Sequence, residues 1–263
     1  MTFDLVVATL GRVDELARLL DSLERQTHKD FRVIVVDQNE DARLDAVLSA
    51  HARLALEHLR APRGLSRARN EALPQLRADV VAFPDDDCTF PEDALERVAQ
   101  RLAADPTLDG LTGRAPDSSS WKRDAATLTR ENLWNRAISF TIFLQRPVIE
   151  RVGAFDEALG LPTSSGEEID YLIRAIDQGA RIEYDPTLVV MHPEKSRDPA
   201  AVGARDGASL GYILRKHRYP PLTVARMFVR PAGGALLALL RNDRGRARFH
   251  VSTLRGRLAG YRS

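Results

Sequence analysis

Three consecutive aspartates, Asp85, Asp86 and Asp87, come just after the apolar run 80–83. Side chains at positions i and i+2 of an extended segment point to the same side, so Asp85 and Asp87 bring two carboxylates together. Two such carboxylates suit a hard cation such as Mg²⁺ or Mn²⁺, which can also bridge a diphosphate. The alternative is an acidic turn that favours the N-terminus of the next helix. The position directly behind an apolar, strand-like run favours the cation site.

Two other segments carry polar groups near the start of a helical pattern. Residues 64–73, GLSRARNEAL, place Arg69 among donors that suit a phosphate at a helix N-terminus. Residues 165–179, SGEEIDYLIRAIDQG, place Glu167, Glu168 and Asp170 in a first helical turn. The helix dipole keeps such carboxylates ionised, as a general base requires. The alternatives are surface arginines on an amphipathic helix and ordinary helix capping by acids.

A single histidine, His192, follows the strand-like segment 187–191. Its neutral imidazole would make a further metal ligand. The alternative is a histidine with a purely structural role.

Strands and helices that could position these groups alternate through about residue 104. The apolar runs predict four strands, at 5–10, 31–37, 54–59 and 79–83. The 3.6-residue spacing of apolar residues predicts helices between and after them, at 14–23, 42–52, 64–76 and 91–102. This alternation predicts an α/β domain with a parallel sheet and helices on both faces.

The predicted strands end in polar residues. Thr9 lies at the end of the first strand and Arg12 just beyond it, Asp37 ends the second, and the aspartate triplet follows the fourth. Ligands of open parallel sheets bind at the carboxyl ends of the strands, so these side chains should converge on one site. The dinucleotide fingerprint GxGxxG and the phosphate loop GxxxxGK[ST] are absent from the sequence, which argues against a Rossmann dehydrogenase and a P-loop kinase.

The pattern is less regular after residue 104. Residues 117–127 are polar and predict a loop, and a helix is expected at 169–176. Two strands, 181–185 and 187–191, are expected on either side of Pro186.

Charge divides the chain at about residue 195. Residues 196–263 contain 14 Lys or Arg and 3 Asp, a net charge of +11, which leaves −10 for residues 1–195. We expect two domains, an α/β domain at 1–195 and a basic helical extension at 196–263. The basic extension suggests a polyanionic partner, a membrane surface or nucleic acid, and the alternative is a solvated pair of arginine-rich helices.

The sequence has few features that indicate a cellular location. The chain of 263 residues has one cysteine, Cys88, so an internal disulfide and a cysteine-based zinc site are excluded. No signal peptide is visible at the N-terminus, and we expect no stretch long enough to span a membrane, the best candidate being 233–240. These features predict a cytoplasmic protein.

The ordered set of motifs resembles family 2 glycosyltransferases, inverting enzymes with the GT-A fold. The resemblance covers about residues 5–197 and rests on these segments in order: VVATLGRVDELARLLDSLERQ, FRVIVVDQ, GLSRARNEAL, FPDDDC, FLQRPVIERVGAFDEALG, SGEEIDYLIRAIDQG and the late His192. It implies a Rossmann-like, mostly parallel sheet flanked by helices, followed by C-terminal basic helices.

The resemblance also implies roles for individual residues. The metal ligands would be Asp85, Asp87 and His192, holding Mn²⁺ or Mg²⁺. The nucleotide-sugar would contact residues near the strand ends and on the helix of 64–76, namely Thr9, Arg12, Asp37, Arg69 and Asp86. Glu168 matches the catalytic base, and Glu167 and Asp170 are possible substitutes. Trp121 and Trp134 fall in the acceptor region, although both could equally be core residues.

Two departures from the family pattern bear on these roles. Gln38 stands where a second acid often follows Asp37, so contact with the base or ribose could be looser. Glu168 stands where the family usually has Asp, and its side chain reaches one methylene further. By the resemblance, the donor is a nucleotide-sugar with UDP as the default nucleotide. The transferred group would be a hexosyl or N-acetylhexosaminyl unit.

The resemblance suggests a hydroxyl acceptor on a polysaccharide, a glycolipid or another glycoconjugate, including lipid-linked saccharides. Peripheral contact of the basic extension with an anionic membrane at its inner face is then a hypothesis, and no nucleic acid partner is expected. Two alternatives remain. One is a sugar-phosphate nucleotidyltransferase, for which ATLGRVDE is a poor phosphate loop, and the other is a non-catalytic nucleotide-sugar-binding protein.

Overall fold

The computed structural model describes residues 1–116, 121–161, 165–193 and 198–263. Residues 117–120 of the predicted loop lie outside the described residues. The chain divides into two compact units. We call residues 1–157 and 171–193 the sheet unit, and residues 158–170 and 194–263 the helical unit.

Regular elements fill most of both units. Among the described residues the strands are β1 (Phe3–Thr9), β2 (Phe31–Asp37), β3 (Leu56–Arg60), β4 (Val80–Ala82), β5 (Gly110–Arg114), β6 (Ala126–Thr127), β7 (Phe143–Gln145) and β8 (Ile182–Val189). The helices are α1 (Val13–Glu24), α2 (Asp45–Ala50), α3 (Leu65–Ala72), α4 (Ala94–Ala104), α5 (Arg146–Val152), α6 (Glu167–Asp177), α7 (Pro199–Lys216), α8 (Pro221–Leu240) and α9 (Arg244–Arg262). The C-terminal helices expected from the sequence are therefore present.

The eight described strands form one sheet in the order β3-β2-β1-β4-β7-β5-β8-β6. The first four in this order run parallel, as the alternation of strands and helices predicts. β7 is antiparallel to both of its neighbours, β4 and β5, and β6 is antiparallel to β8. The predicted α/β class with a mostly parallel sheet is thus confirmed.

Burial explains why the first strands were readable from the sequence. All seven residues of β1 and the last five of β2 are buried, because helices cover the sheet on both faces. α1 contributes Leu16, Leu19, Leu20 and Leu23 to the hydrophobic core, at the spacing that the sequence showed. Full burial of one such leucine contributes about 1.5–3 kcal/mol, which fixes the helix against the sheet.

The two strands expected around Pro186 are one strand, β8. The register between β5 and β8 shifts between Thr112 and Arg114, so Pro186, which has no N–H to donate, lies in an irregular part of the ladder. The side chain of Arg114 donates from Nε to the carbonyl oxygen of Pro186 at 2.7 Å. The short strands β5, β6 and β7 and the helix α5 were not expected.

Close contact between α7 and α9 organises the helical unit. Glycines recur every four residues on both helices, at Gly203, Gly207 and Gly211 and at Gly256 and Gly260. A Cβ added at Gly260 would lie 1.8 Å from the carbonyl oxygen of Ala208, and one at Gly207 would lie 2.5 Å from that of Thr253. Only glycine permits these two backbones to approach so closely.

α8 continues through Pro231 without ending. Proline lacks an N–H, so it cannot donate to the carbonyl oxygen four residues earlier, which belongs to Met227. Arg257 of α9 donates to that oxygen instead. Among the described residues, α8 is the one helix long and apolar enough to cross a membrane by length and composition. The expectation that no segment is long enough to span a membrane was wrong. Arg226, Arg230 and Pro231 break the apolar run in the sequence, but the helix continues through all three.

A buried acid ties β1 to its neighbours. Asp4 accepts hydrogen bonds from Arg32 of β2, at 2.5 Å from Nε to Oδ1 and 3.1 Å from Nη2 to Oδ2. The backbone N–H groups of Arg77 and Ala78 also donate to Oδ2, at 2.7 and 3.0 Å. Burial alone would raise the pKa of Asp4, but these hydrogen bonds and the charge of Arg32 lower it below 3.8.

We therefore predict that Asp4→Asn lowers the free energy of unfolding by about 3 kcal/mol at pH 7, because it leaves Arg32 without its buried counter-ion. The folded-state pKa of Asp4 is depressed, so the stabilisation is present above pH 3.8 and is lost as the pH falls through the folded value. Urea unfolding of both proteins at several pH values measures this. Glu57→Gln is the control, because Glu57 also pairs with Arg32 but is partly exposed, and it should cost less than about 1 kcal/mol. Equal losses for the two variants would contradict the prediction.

Candidate active site

The carboxyl ends of β1, β2 and β4 bring the predicted polar residues together. Thr9 at the end of β1 is in register with Asp37 at the end of β2. Ala8 forms a parallel bridge with Asp85, just beyond β4. The convergence that the sequence predicted at this edge of the sheet is therefore present.

His192 reaches the aspartate triplet through a short antiparallel bridge. Thr89 and Met191 exchange two backbone hydrogen bonds, at 2.9 and 3.0 Å. His192 is the next residue, so this bridge places its imidazole beside residues that precede it by more than a hundred positions. The ring also stacks on Phe140, with centroids 4.8 Å apart and an angle of 11° between the planes.

Asp85, Asp87 and His192 form a compact group of potential metal ligands. One ligand atom from each residue lies within 4.8 Å of the other two. Nε2 of His192 lies 3.0 Å from Oδ1 of Asp87 and 3.8 Å from Oδ2 of Asp85. Two carboxylates and an imidazole fit Mn²⁺ or Mg²⁺, since carboxylate oxygen suits both ions and imidazole suits the transition metal.

Arg12 balances the remaining negative charge of the triplet. Its Nη1 atom lies 2.5 Å from Oδ1 of Asp86 and 3.1 Å from Oδ2 of Asp87. Burial raises the pKa of Asp86, and the charge of Arg12 opposes that shift. Arg12 therefore contacts both Asp86 and Asp87, and Asp86 is the aspartate of the triplet that lies outside the group formed with His192.

Arg69 of α3 lies almost fully buried next to the site. Its guanidinium packs over the rings of Phe83 and Phe155, 5.7 and 5.4 Å from their centroids, and Nη2 lies 3.6 Å from Oδ1 of Asp85. Asn70 orients this helix, because its side chain exchanges hydrogen bonds of 3.0 and 2.7 Å with the backbone of Phe155. The segment containing Phe155 thus supports Arg69, and Asn70 has a structural role.

The buried carboxylate of Asp37 is bound on both oxygens within the protein. Oδ1 accepts from the backbone and side-chain nitrogens of Asn39, at 2.8 and 2.7 Å. Oδ2 lies 3.1 Å from Nε2 of His58 and 3.0 Å from Nη1 of Arg60. Gln38, where the family often has an acid, accepts from the N–H of Gly64 at 2.8 Å and so connects β2 to the start of α3.

The residues at the start of α6 belong to the helical unit, and α7 holds them. The N–H of Ser165 donates to Oγ of Ser209 at 2.8 Å, and its hydroxyl donates to Asp206 at 2.9 Å. Asp170 is fully buried, and its Oδ1 atom lies 2.7 Å from Nζ of Lys216 and 2.8 Å from Nε2 of His217.

Burial separates the three acids at this helix start. Asp170 and Glu167 are buried, whereas Glu168 is partly exposed. Of the three candidate bases, Glu168 is therefore the one that is partly exposed to solvent.

The two tryptophans are both partly exposed. Nε1 of Trp134 donates to the carbonyl oxygen of Arg130 at 3.1 Å. Trp121 directly follows residues 117–120. Their assignment to the acceptor region stays a prediction.

Sequence reasoning missed two side chains that touch the metal-ligand group. The hydroxyl of Ser139 donates to Oδ1 of Asp85 at 2.9 Å, and Phe140 supports the ring of His192. Both lie in the irregular region after residue 104, where neither spacing nor residue type marked them.

Comparison with known proteins identifies relatives of this chain. Residues 4–155 match the family model described as "Glycosyl transferase family 2". The "Pre-mycofactocin glycosyltransferase" of Mycobacterium tuberculosis is 29% identical over 256 residues, which cover 89% of this chain and 51% of that relative. The chain thus spans about half the length of this curated relative.

Solved structures show the same fold. The mannosyltransferase PcManGT of Pyrobaculum calidifontis, in complex with GDP-Man and Mn²⁺, aligns with a TM-score of 0.71 and 18% identity, over 98% of this chain and 86% of that one. TarS 1–349 of S. aureus, in complex with UDP-GlcNAc, aligns with a TM-score of 0.63 and 18% identity, over 96% and 90%. The expected GT-A fold is confirmed, and the chain belongs to glycosyltransferase family 2.

Proposed function

We propose that this chain transfers a sugar from a nucleotide-sugar to a hydroxyl acceptor in a metal-dependent reaction that inverts the anomeric centre. The observation that carries the proposal is the group of Asp85, Asp87 and His192 at the carboxyl end of β4 in a family 2 chain. Two structures of similar fold, with GDP-Man and with UDP-GlcNAc, support a nucleotide-sugar as donor.

The metal-ligand group would hold a divalent cation. When bound, the cation would offset the negative charge that develops on the leaving diphosphate. Arg12 and Arg69 add fixed positive charge beside the triplet, at 2.5 Å from Asp86 and 3.6 Å from Asp85. The hydrogen bond from Arg12 would hold the carboxylate of Asp86 in place before a donor arrives, so that less reorganisation is needed during the reaction.

The remaining site residues would bind the donor and activate the acceptor. Thr9 and Asp37 lie at neighbouring strand ends, where the family resemblance assigns the nucleotide. Glu168 would accept the proton of the acceptor hydroxyl as its oxygen attacks C1 from the face opposite the diphosphate. A single displacement of this kind inverts the configuration at C1.

The acceptor is proposed as a hydroxyl of a saccharide, including a lipid-linked one, with Trp121 and Trp134 offering ring faces to a sugar. We further propose a cytoplasmic location with peripheral contact to an anionic membrane, supported by the net charge of +11 in residues 196–263. Membership of a glycosyltransferase family does not favour the nucleotidyltransferase alternative. A non-catalytic nucleotide-sugar-binding protein would bind donor without turnover.

We predict that the protein binds Mn²⁺ and that this binding depends on Asp85, Asp87 and His192. We expect Asp87→Ala and His192→Ala to weaken Mn²⁺ binding by at least about 100-fold, because each removes a direct ligand. Ser139→Ala removes a hydrogen bond to Asp85 and should cost about tenfold. Electron paramagnetic resonance of free Mn²⁺ measures the affinities. Asp185→Ala, which removes a carboxylate elsewhere in the sheet unit, should leave binding unchanged. Undiminished binding by Asp87→Ala would overturn the metal site.

A donor that binds the folded protein should raise its melting temperature. At a ligand concentration of 100 times Kd, the stabilisation is about 2.7 kcal/mol, which corresponds to about 5–10 °C in a chain of this size. We expect this increase with Mn²⁺ and either UDP-GlcNAc or GDP-mannose, and not with the nucleotide-sugar and EDTA. The same increase with a nucleoside triphosphate and a sugar phosphate, accompanied by pyrophosphate release, would favour a nucleotidyltransferase.

Matched variants should identify the catalytic base. We expect Glu168→Gln to lower kcat by about 10²–10⁴-fold while the melting temperature and donor affinity are retained, because only proton transfer is lost. Asp170→Asn should instead destabilise the fold by about 3 kcal/mol, since it neutralises the buried partner of Lys216. The measurements are release of the nucleoside diphosphate and thermal unfolding. Unchanged kcat in Glu168→Gln would reject the assignment, and a large loss in Glu167→Gln alone would transfer it to that residue.

A further inference from the structure

The exposed side of α8 carries a row of four large apolar side chains, which we call the stripe. Its members recur at intervals of seven, seven and four residues, which places them on one face of the helix. They are 64%, 67%, 60% and 76% exposed, in the order Leu222, Val229, Leu236 and Leu240. The buried face lies opposite and includes Pro231 and Ala238. Large apolar side chains in a contiguous exposed row mark an interaction surface.

Arginines border this stripe. Arg226 and Arg230, one turn apart, fall on one flank of it, and Arg241 directly follows the helix. Residues 221–263 contain nine arginines, no lysine and one acid, Asp243. Arginine presents a planar set of donors that matches phosphate oxygens, so this composition favours a phosphate-bearing partner.

A cavity lies at the C-terminal end of α8, next to the stripe. It measures about 190 Å³, and its lining includes Leu237, Arg241, Arg246 and His250. Asp243 also lines it, but its carboxylate caps α9 by accepting from the N–H of Arg246 at 2.9 Å. The cavity therefore offers cationic side chains next to an apolar wall, which suits a phosphate group attached to a hydrocarbon chain.

We propose that α8 lies flat in the surface of an anionic phospholipid bilayer, with the stripe among the acyl chains and the cavity receiving a lipid phosphate. A helix with an apolar face and arginines at its border binds in the interfacial plane in this way. A transmembrane orientation is disfavoured, because it would place Arg230 near the bilayer centre at a cost of about 2.5–3.5 kcal/mol. α9 also packs against one side of α8, where Arg257 donates to the carbonyl oxygen of Met227, so that side of α8 is not free to face lipid.

Two other partners fit the surface less well. A second copy of the chain would place two arginine-rich borders against each other, and like charges in contact are costly. A nucleic acid would satisfy the arginines but would leave the leucines without an apolar partner. An anionic lipid surface satisfies both, because its phosphates face the arginines and its acyl chains receive the leucines.

Flotation of the full chain with vesicles tests the proposal. We expect binding to phosphatidylcholine vesicles that contain phosphatidylglycerol, little binding to phosphatidylcholine alone, and weaker binding as salt rises. Leu236→Ser with Leu240→Ser should weaken binding at least about tenfold, because both lose apolar burial. Arg226→Ser with Arg230→Ser should weaken it about 30-fold, and Arg241→Ser with Arg246→Ser by a similar factor.

Matched controls separate the surface from general effects of charge and hydrophobicity. Leu161→Ser removes an exposed leucine outside α8, and Arg18→Ser with Arg77→Ser removes two exposed arginines of the sheet unit. Both should bind vesicles like the wild type. No flotation with anionic vesicles, or full flotation of the Leu236 and Leu240 double variant, would overturn the proposal. A lipid-free dimer that this double variant dissociates would assign the stripe to a second copy instead. Flotation needs no turnover, so its outcome is independent of the proposed glycosyl transfer.

Discussion

Three adjacent carboxylates at the end of a buried strand impose the constraint on which the site depends. Water screens little of their repulsion, because Asp86 and Asp87 are almost fully buried. The fold must therefore supply positive charge, and it does so from two distant parts of the chain. Arg12 contacts Asp86 and Asp87, and Arg69 approaches Asp85. The imidazole of His192 lies beside Asp85 and Asp87. A cation bound by Asp85, Asp87 and His192 would complete the same charge balance.

Strand pairing and side-chain packing in the sheet unit hold these charged side chains in position. Parallel pairing of β1 with β2 and β4 aligns Thr9, Asp37 and Asp85 at one edge. The packing of Arg69 over the rings of Phe83 and Phe155 restricts the orientation of a long, flexible side chain. On the opposite end of β1, Asp4 and Arg32 bind the same strands together. The ordered edge is thus a consequence of pairing along the whole length of these strands.

The sequence predicted the first half of this fold well, because short-range patterns specify it. Buried parallel strands appear as continuous apolar runs, and α1 shows its core-facing leucines at helical spacing. The later strands were not predictable in this way. β6 has two residues and β7 has three, so neither carries a pattern, and each is stable only through pairing with strands far away in sequence.

The site itself was predicted in part for the same reason. The types and positions of Asp85, Asp87 and His192 suggested a metal group, but their proximity depends on the bridge between Thr89 and Met191. No pattern of neighbouring residues in the sequence predicts that bridge, because its two residues lie far apart in the chain. Ser139 and Phe140, which contact the group, were missed because ordinary core positions also favour such residues.

The helical unit unites two features that the sequence suggested separately. Its residues 158–170 include Glu168, the proposed base, and its helix α8 carries the proposed lipid-facing stripe. Ser165 and Asp170, on either side of Glu168, are held by Ser209, Lys216 and His217 of α7 and its end. On these two proposals, an acceptor presented at a lipid surface would meet a base carried by the same compact unit that would bind that surface. Diffusion of the acceptor would then be confined to two dimensions, which would suit a lipid-linked saccharide better than a freely soluble one.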